Sequence, residues 1–426
     1  MVMSNLQLKI KKRTQPEWLI FFIVIMPFLF STLCELLPLP RFIRYSLDFA
    51  WIFLLILGII NLVKKNVIFL NKINVIKYWI GAFVLTSVMA YVFSYQSVIY
   101  FLWGFRNNFR FFFFFLCVIL FLDFDDGEKL LKLFDAIFWI NTVVMLFQYF
   151  ALHYKQDYLG GVFGVEKGCN GYINIFFVII VTKSVLSFLN KKENIWMFLS
   201  KSAVSLLLAT LAEIKFFYIE YIFILFVAFL ITNFSVRKLI SVFIAILLLF
   251  VSVSLLYRLF PFFNNFFNIE NIITSQSEGG YSSVDDLNRL TAVPTVANRF
   301  LETPFEKIFG LGLGNCDGST NFEFVNTPFY LSYKYLKFLW FSAPFITLET
   351  GFLGLTLYIG FFILIFVLTL SYAKSYGNEK SVFQLAGIVA LVCPLIIVYN
   401  SSLRTEAGYM IFFVLALPFV LLNKSR

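Results

Sequence analysis

Apolar residues run through this chain in long blocks separated by short polar intervals. Blocks of roughly 17–25 residues are what an α-helix needs to cross the hydrocarbon of a bilayer. Twelve can be placed, at 17–37, 45–63, 78–97, 100–122, 130–152, 171–189, 195–212, 216–233, 238–258, 344–370, 381–400 and 406–422. The fourth is interrupted by Arg106 and Arg110. One interval breaks the rhythm, since 259–343 holds no clean span and carries the polar stretch NIITSQSEGGYSSVDDLNRL. Intervals of that length inside a compact array are functional or disordered, and this one has too many Phe, Tyr and Leu for disorder. The expected organisation is an all-α polytopic membrane protein: nine spans in 1–258, a folded cap in 259–343, and three more spans in 344–426. No repeat relates the two halves, which weighs against transporter folds built from inverted halves.

Composition agrees with this pattern. The 426 residues are 60% hydrophobic, 20% aromatic and only 14% charged, with a mean hydropathy of +0.86, which excludes a water-soluble globule. The formal charge of +10 is a topological signal and requires no nucleic acid. Lys9, Lys11, Lys12 and Arg13, then Lys64, Lys65, Lys72 and Lys77, Lys191 with Lys192, Arg237 with Lys238, Lys374 with Lys380, and Lys424 with Arg426 fall in alternate intervals. The other short intervals are much poorer, with Arg41, Arg44, Lys155, Lys167 and Arg404, and Lys215 at the turn between the seventh and eighth runs. Basic flanks resist translocation, so both termini are expected in the cytoplasm and the cap outside. The first apolar run follows a basic stretch and has no A-x-A-like cleavage site, so it is read as a retained span.

The cap contains RFLETPFEKIFGLGLGN, Arg299 to Asn315. Arg299 followed after ten residues by Gly310 resembles the Arg-x10-Gly signature of Wzy-type O-antigen polymerases. FGLGLGN and LETGFLGL (Leu348–Leu355) resemble two segments of the wider O-antigen polymerase and ligase superfamily, and GGVFGVEKGCNGYINIFF (160–177) and LLATLAEIKFFYIE (207–220) are similar to two more. These segments lie in the last two-thirds of the chain. The pattern departs from the family in one respect: no arginine lies between Arg110 and Arg237, so a second Arg-x10-Gly is missing and Lys155 or Lys167 would have to supply charge there. Ligases of the superfamily carry a histidine where Trp340 stands here, and the one histidine, His153, lies far away at the end of the fifth run.

The resemblance implies a GT-C-like enzyme of the bacterial cytoplasmic membrane. It would be an O-antigen or capsular polysaccharide polymerase, transferring a glycan from undecaprenyl pyrophosphate to a sugar hydroxyl of a second lipid-linked repeat unit. A chain-length regulator and a flippase are the implied partners, and no cofactor or metal is implied. The alternatives are a ligase of the same superfamily and a non-enzymatic polysaccharide flippase or transporter. The latter would spread charge along a central path, whereas here charges gather at the outer ends of spans and in the cap.

Such a reaction loads negative charge onto the departing pyrophosphate, and one preorganised donor aimed at developing charge is worth roughly 2.7–4 kcal/mol. Arginine grips phosphate oxygens in pairs. The candidates are Arg289, Arg299, Arg404 and Lys215, with Glu349 ranked first as the base and Glu213, Asp286 and His153 behind it. Glu213 and Lys215 fall at an expected tight fold between two spans, as either a functional pair or a mutually screening one. Arg106 and Arg110, spaced to share a helix face, read either as a lipid-phosphate clamp or as side chains snorkelling to the interface. Gly310, Gly312 and Gly314 either bring backbone close to phosphate or make a turn. The aromatic run Phe111 to Phe115 is expected to face lipid. DFDDG (Asp123–Gly127) reads as an acidic helix start rather than a metal site. Cys169 and Cys316, in the two outer intervals, are expected to be free thiols, the alternative being a disulfide between them in an oxidising compartment.

Overall fold

The computed structural model describes residues 13–37, 40–64, 69, 71–94, 96–233, 236–259, 286–377 and 379–424, and every regular element among them is helical. Twelve are apolar helices at the expected places. They are α1 Gln15–Leu36, α2 Ser46–Val63, α3 Asn74–Ser94, α4 Val98–Phe121, α5 Phe124–Phe150, α6 Asn170–Leu189, α7 Ile195–Leu211, α8 Phe216–Ile231 and α9 Val236–Leu259. Three short helices of the cap follow, α10 Ala292–Phe300, α11 Pro304–Phe309 and α12 Pro328–Tyr333. Then come α13 Ser342–Ala373, α14 Lys380–Tyr399 and α15 Gly408–Lys424.

Eight of these, α2 to α6, α9, α13 and α14, are long and apolar enough to cross a membrane, and the chain is a multi-pass membrane protein on that ground. The apolar parts of α1, α7, α8 and α15 are shorter. At 1.5 Å per residue a 17-residue helix such as α7 reaches about 25 Å, just short of a hydrocarbon core of about 30 Å. Of the twelve expected spans, eight coincide with helices of spanning length and four with shorter apolar helices.

Helix α4 is continuous over 24 residues at the place of the expected fourth span and runs through both arginines, which are engaged inside the protein. One expectation about it is corrected: Phe111, Phe112, Phe114 and Phe115 do not face lipid and are all buried. Phe111 packs edge-on against Tyr409, Phe112 against Phe361 and Phe412, and Phe115 against Phe361 and Phe419. Offset and edge-to-face aromatic pairs carry large contact area, which is how α4 packs against α13 and α15. The acidic start of α5 is as expected, with Asp125 and Asp126 in its first turn and Asp126 paired to Arg13 and Lys129.

In the cap, α11 opens with a capping box between Thr303 and Glu306, has Pro304 in its first turn, and stops at Gly310. Gly310 has φ +80°, and a Cβ there would lie 2.5 Å from the Glu349 carbonyl carbon. Gly351 interrupts the helical course of α13 with φ +66°, and a Cβ on it would collide with the carbonyl of Ile308. Leu311 N–H donates to the Leu348 carbonyl at 2.7 Å. FGLGLGN and LETGFLGL thus dock backbone to backbone, which only glycine permits at these two positions.

Candidate functional site

The polar stretch RNNFR of α4 organises the interior beneath the cap. Arg106 donates from Nε to Asp48 of α2 at 2.9 Å and from Nη2 to the other carboxylate oxygen. Asn107 donates to Asp317 of the cap at 2.6 Å, and Asn108 to Glu349 of α13 at 3.3 Å. Arg110 donates to the Arg404 carbonyl at 3.0 Å and lies 3.8 Å from Glu406 and 3.7 Å from Asp48. One turn of one helix therefore ties down α2, the cap, α13 and the α14–α15 connection. Arg110 is 2% exposed, so it neither snorkels to an interface nor stands open to a lipid phosphate.

Glu349 and Arg404 belong to the same network. Glu349 is fully buried, and Asp317, Arg404 and the backbone amides of Gly314 and Cys316 face its carboxylate. The Arg404 guanidinium lies 3.4 Å over the Phe345 ring. The glycine run thus closes over a carboxylate of the protein itself, and Gly314 meets the backbone of α4 at Tyr100 and Gly104. Burial pushes the Asp317 carboxyl up, with Arg404 and Asn107 opposing. Burial would raise Glu406 as well, but Arg110 and Arg44 outweigh it and hold the carboxyl at about 2. Its other partner is the hydroxyl of Tyr172, which donates to it.

Beside this network lies a cavity of about 880 Å³. Its walls come from the last turns of α1, the start of α2, the α5–α6 connection, the α7–α8 turn, the cap and the α14–α15 connection. These are all intervals that the charge pattern places on one face. Four bases line it, Arg44, Lys167, Lys215 and Arg289, with the acids Asp157, Glu166, Glu213 and Glu406. Arg289 stacks 3.8 Å over Tyr399, which itself stacks on Phe216 at 4.0 Å. Lys167 sits 5.5 Å from the Trp340 ring centre, and Arg44 pairs with Glu166 at 3.6 Å.

The α7–α8 turn is built for this position. Glu213 adopts φ +53°, a left-handed conformation uncommon outside glycine, and so reverses the chain in three residues. Burial lowers the Lys215 ammonium to about 8, with Glu213 opposing and Arg289 adding to the fall. Burial also raises the Glu213 carboxyl. A cation and a carboxylate with shifted proton affinities, side by side in a cavity, are the ingredients of acid–base chemistry on an anionic ligand.

Of the residues singled out in the sequence, Lys215, Glu213 and Arg289 meet in the cavity. Lys167, Cys169 and Trp340 also line it, and the other candidates do not. Arg299 is exposed on the cap, where it donates to the Tyr335 hydroxyl at 2.9 Å. It is separated from Arg289 by α10, nine residues and about 14 Å long, so the pair does not form one clamp. Asp286 is buried in an ion pair with Lys337 at 2.9 Å. His153 and Lys155 are exposed. Cys169 and Cys316 are free thiols, and the Cys169 thiol donates to the Asp157 carbonyl. Gly279 and its neighbours in the cap lie outside the described residues.

The sequence reading missed Arg44 as a cavity residue, together with Asp157, Glu166, Tyr172 and Glu406. Arg44 left a signal, being one of the few bases in the intervals poor in them. Glu406 left none, because its value depends on Arg110, far away along the chain. Among the described residues no three or more His, Cys, Asp or Glu side chains are grouped to hold a metal ion. No protein-family model matches the chain, and the curated proteins include no match to it.

Proposed function

We propose that the chain is a polysaccharide polymerase of the O-antigen or capsule type, working in the cavity on undecaprenyl-pyrophosphate-linked oligosaccharides at the outer face of the bacterial cytoplasmic membrane. The observation that carries this reading is the meeting of Arg44, Lys167, Lys215 and Arg289 in one cavity. Two stacked aromatics and a carboxyl of raised proton affinity accompany them. In the reaction an acceptor hydroxyl attacks the anomeric carbon of the donor sugar. The bond from that carbon to the pyrophosphate oxygen breaks, and the hydroxyl proton passes to Glu213. Charge appearing on the pyrophosphate is met by Arg289 and Lys215, with Arg44 and Lys167 across the cavity.

Glu213 replaces Glu349 as the base in this scheme. Glu349 is enclosed by Asn108, Asp317 and Arg404 and does not line the cavity, so its work is to hold the cap on α4 and α13. Arg299 likewise has no part in it. A flippase and a chain-length regulator remain the expected partners. The experiment is the length of lipid-linked glycan in cells lacking the protein. Single repeat units on the lipid A core support the polymerase. Long chains stranded on carrier lipid would make it a ligase, and units held on the cytoplasmic leaflet would make it a flippase.

A further inference from the structure

The scheme above leaves unused a buried carboxyl behind the cavity wall. Glu220 of α8 is fully buried. One of its oxygens accepts from Asn174 at 3.1 Å, and the other has no hydrogen-bond partner. Asn174 of α6 itself lines the cavity, so a single side chain separates the carboxyl from the site. Ionisable groups inside a membrane are costly and mark ion or proton paths unless paired. Among the described residues no base pairs with this one: the Cys393 thiol of α14 faces it, and the adjoining polar groups of α8 are the hydroxyls of Tyr218 and Tyr221.

The surroundings of Glu220 concentrate buried hydroxyls. Many others in the bundle turn back onto their own helix, as Ser87 does to the Phe83 carbonyl, Thr142 to Phe138 and Thr347 to Ala343. That is how a helix satisfies such groups without water. Among the described residues Thr182 of α6 and Ser205 of α7 are buried with no hydrogen-bond partner, and the buried hydroxyls of Tyr221 and Ser202 face each other. Helices α6, α7 and α8 pack on one another, and α14 packs on α6 and α8. Along α6, Thr182 lies about 12 Å beyond Asn174. Along α7, Ser205, Ser202 and Lys201 follow in order away from the cavity.

The line ends in a second cluster. Lys201 is paired with Asp135 at 2.9 Å and Glu193 at 2.8 Å, Lys183 also binds Asp135, and Ser184 donates to Glu193. A cavity of about 370 Å³ opens there, lined by Asp135, Glu193 and Lys201. Buried hydroxyls, a lone carboxyl and an ion-pair cluster thus lie on the helices between two cavities at opposite ends of α7.

We propose that Glu220 is the central proton-binding group of a relay between these two cavities. On one side it exchanges protons with water of the cavity beside Asn174, whose amide donates to the carboxylate and holds it in place without carrying the proton; on the other it leads through Tyr221, Ser205, Ser202 and Thr182 toward Lys201 and Asp135. Between carboxyl, water and hydroxyls each transfer breaks one O–H bond as it forms the next, at Lys201 an N–H bond takes that place, and no electron changes hands. The relay is a function additional to glycan transfer and does not depend on it.

The test uses the full-length protein reconstituted in phosphatidylethanolamine–phosphatidylglycerol vesicles loaded with a pH-sensitive dye. A potassium diffusion potential set by valinomycin drives the protons. Wild-type protein should carry protons several-fold faster than protein-free vesicles, and Glu220→Gln, which keeps the Asn174 contact, should return the rate to that background. Tyr221→Phe and Ser202→Ala, which lose only a hydroxyl, should each slow it, and Lys307→Ala on the exposed cap should not. In the infrared, the carbonyl stretch of a protonated buried carboxylic acid should be present in wild type and lost in Glu220→Gln. Wild-type vesicles no faster than empty ones, or Glu220→Gln as fast as wild type, would overturn the relay. If Glu220→Gln fails to fold, unchanged rates in both Tyr221→Phe and Ser202→Ala overturn it equally. Glycan length in cells tests the polymerase separately, so either reading can fail alone.

Discussion

The network around α4 and the cavity beside it contain almost the same residue types, yet they hold charge in opposite ways. In the network Asp48, Asp317, Glu349 and Glu406 face Arg106, Arg110 and Arg404 inside the protein. In the cavity the guanidinium and ammonium groups line empty volume large enough for a ligand. Removing one partner of a buried pair leaves an uncompensated charge in a dry site, whereas removing a cavity cation leaves a gap that water fills. Arginine at the membrane surface is therefore no functional signal by itself; what it faces decides its role.

The sharpest break of this comparison is Arg110→Ala. It takes from Glu406 its Arg110 partner, leaving Arg44 and Tyr172, and takes the tie from the α14–α15 connection, so stability should fall by about 3–5 kcal/mol. The expected outcome is loss of folded protein from the membrane fraction and a large drop in Tm in detergent. A stable, well-expressed Arg110→Ala would show that the network is not structural.

In the cavity the pattern should invert. Arg289→Ala and Lys215→Ala should each lower the rate of long-chain glycan formation by about 10²–10³, while Tm and membrane abundance stay at wild-type values. Arg289→Lys should recover only part of the rate, since a point charge replaces a planar donor. Parallel loss of Tm and activity in both variants would erase the distinction between the two regions.

Lys215 sharpens the comparison through pH. Its folded-state affinity for protons is lowered from 10.5 to about 8, so it is charged below about pH 8 and neutral above. Binding of an anionic ligand should weaken as pH rises through that value. Lys215→Arg, which keeps its charge, should flatten the profile there. A bound pyrophosphate favours the charged form, so protons should be taken up on binding between about pH 8 and 10, measurable by calorimetry in buffers of different ionisation enthalpy. The smallest effect belongs to Arg299→Ala, where an exposed side chain loses a contact with Tyr335: stability within about 0.5 kcal/mol of wild type and unchanged glycan lengths are expected.

The helices could be read in advance because a membrane-crossing segment is a local property: length, apolarity and flanking charge all lie within one run of residues. The acidic start of α5 was legible for the same reason. Lys215 and Glu213 were placed near the site because two short apolar runs can meet only at a turn. Phe111 to Phe115 were misread, because burial against α13 and α15 and exposure to lipid demand the same apolar side chains. The glycines of FGLGLGN were legible as special backbone, though not as backbone closing on Glu349.

What the sequence by itself determined is the set of apolar helices and the intervals that share a face with the cap, since each depends on residues adjacent in the chain. Only the tertiary structure decided which charges are matched and which line a cavity. Arg106 meets Asp48 across 58 residues, Asn108 meets Glu349 across 241, and Arg110 meets the Arg404 carbonyl across 294. The strength of a charge in a dry interior is set by its nearest partner in space, and nothing local in the chain says which partner that will be.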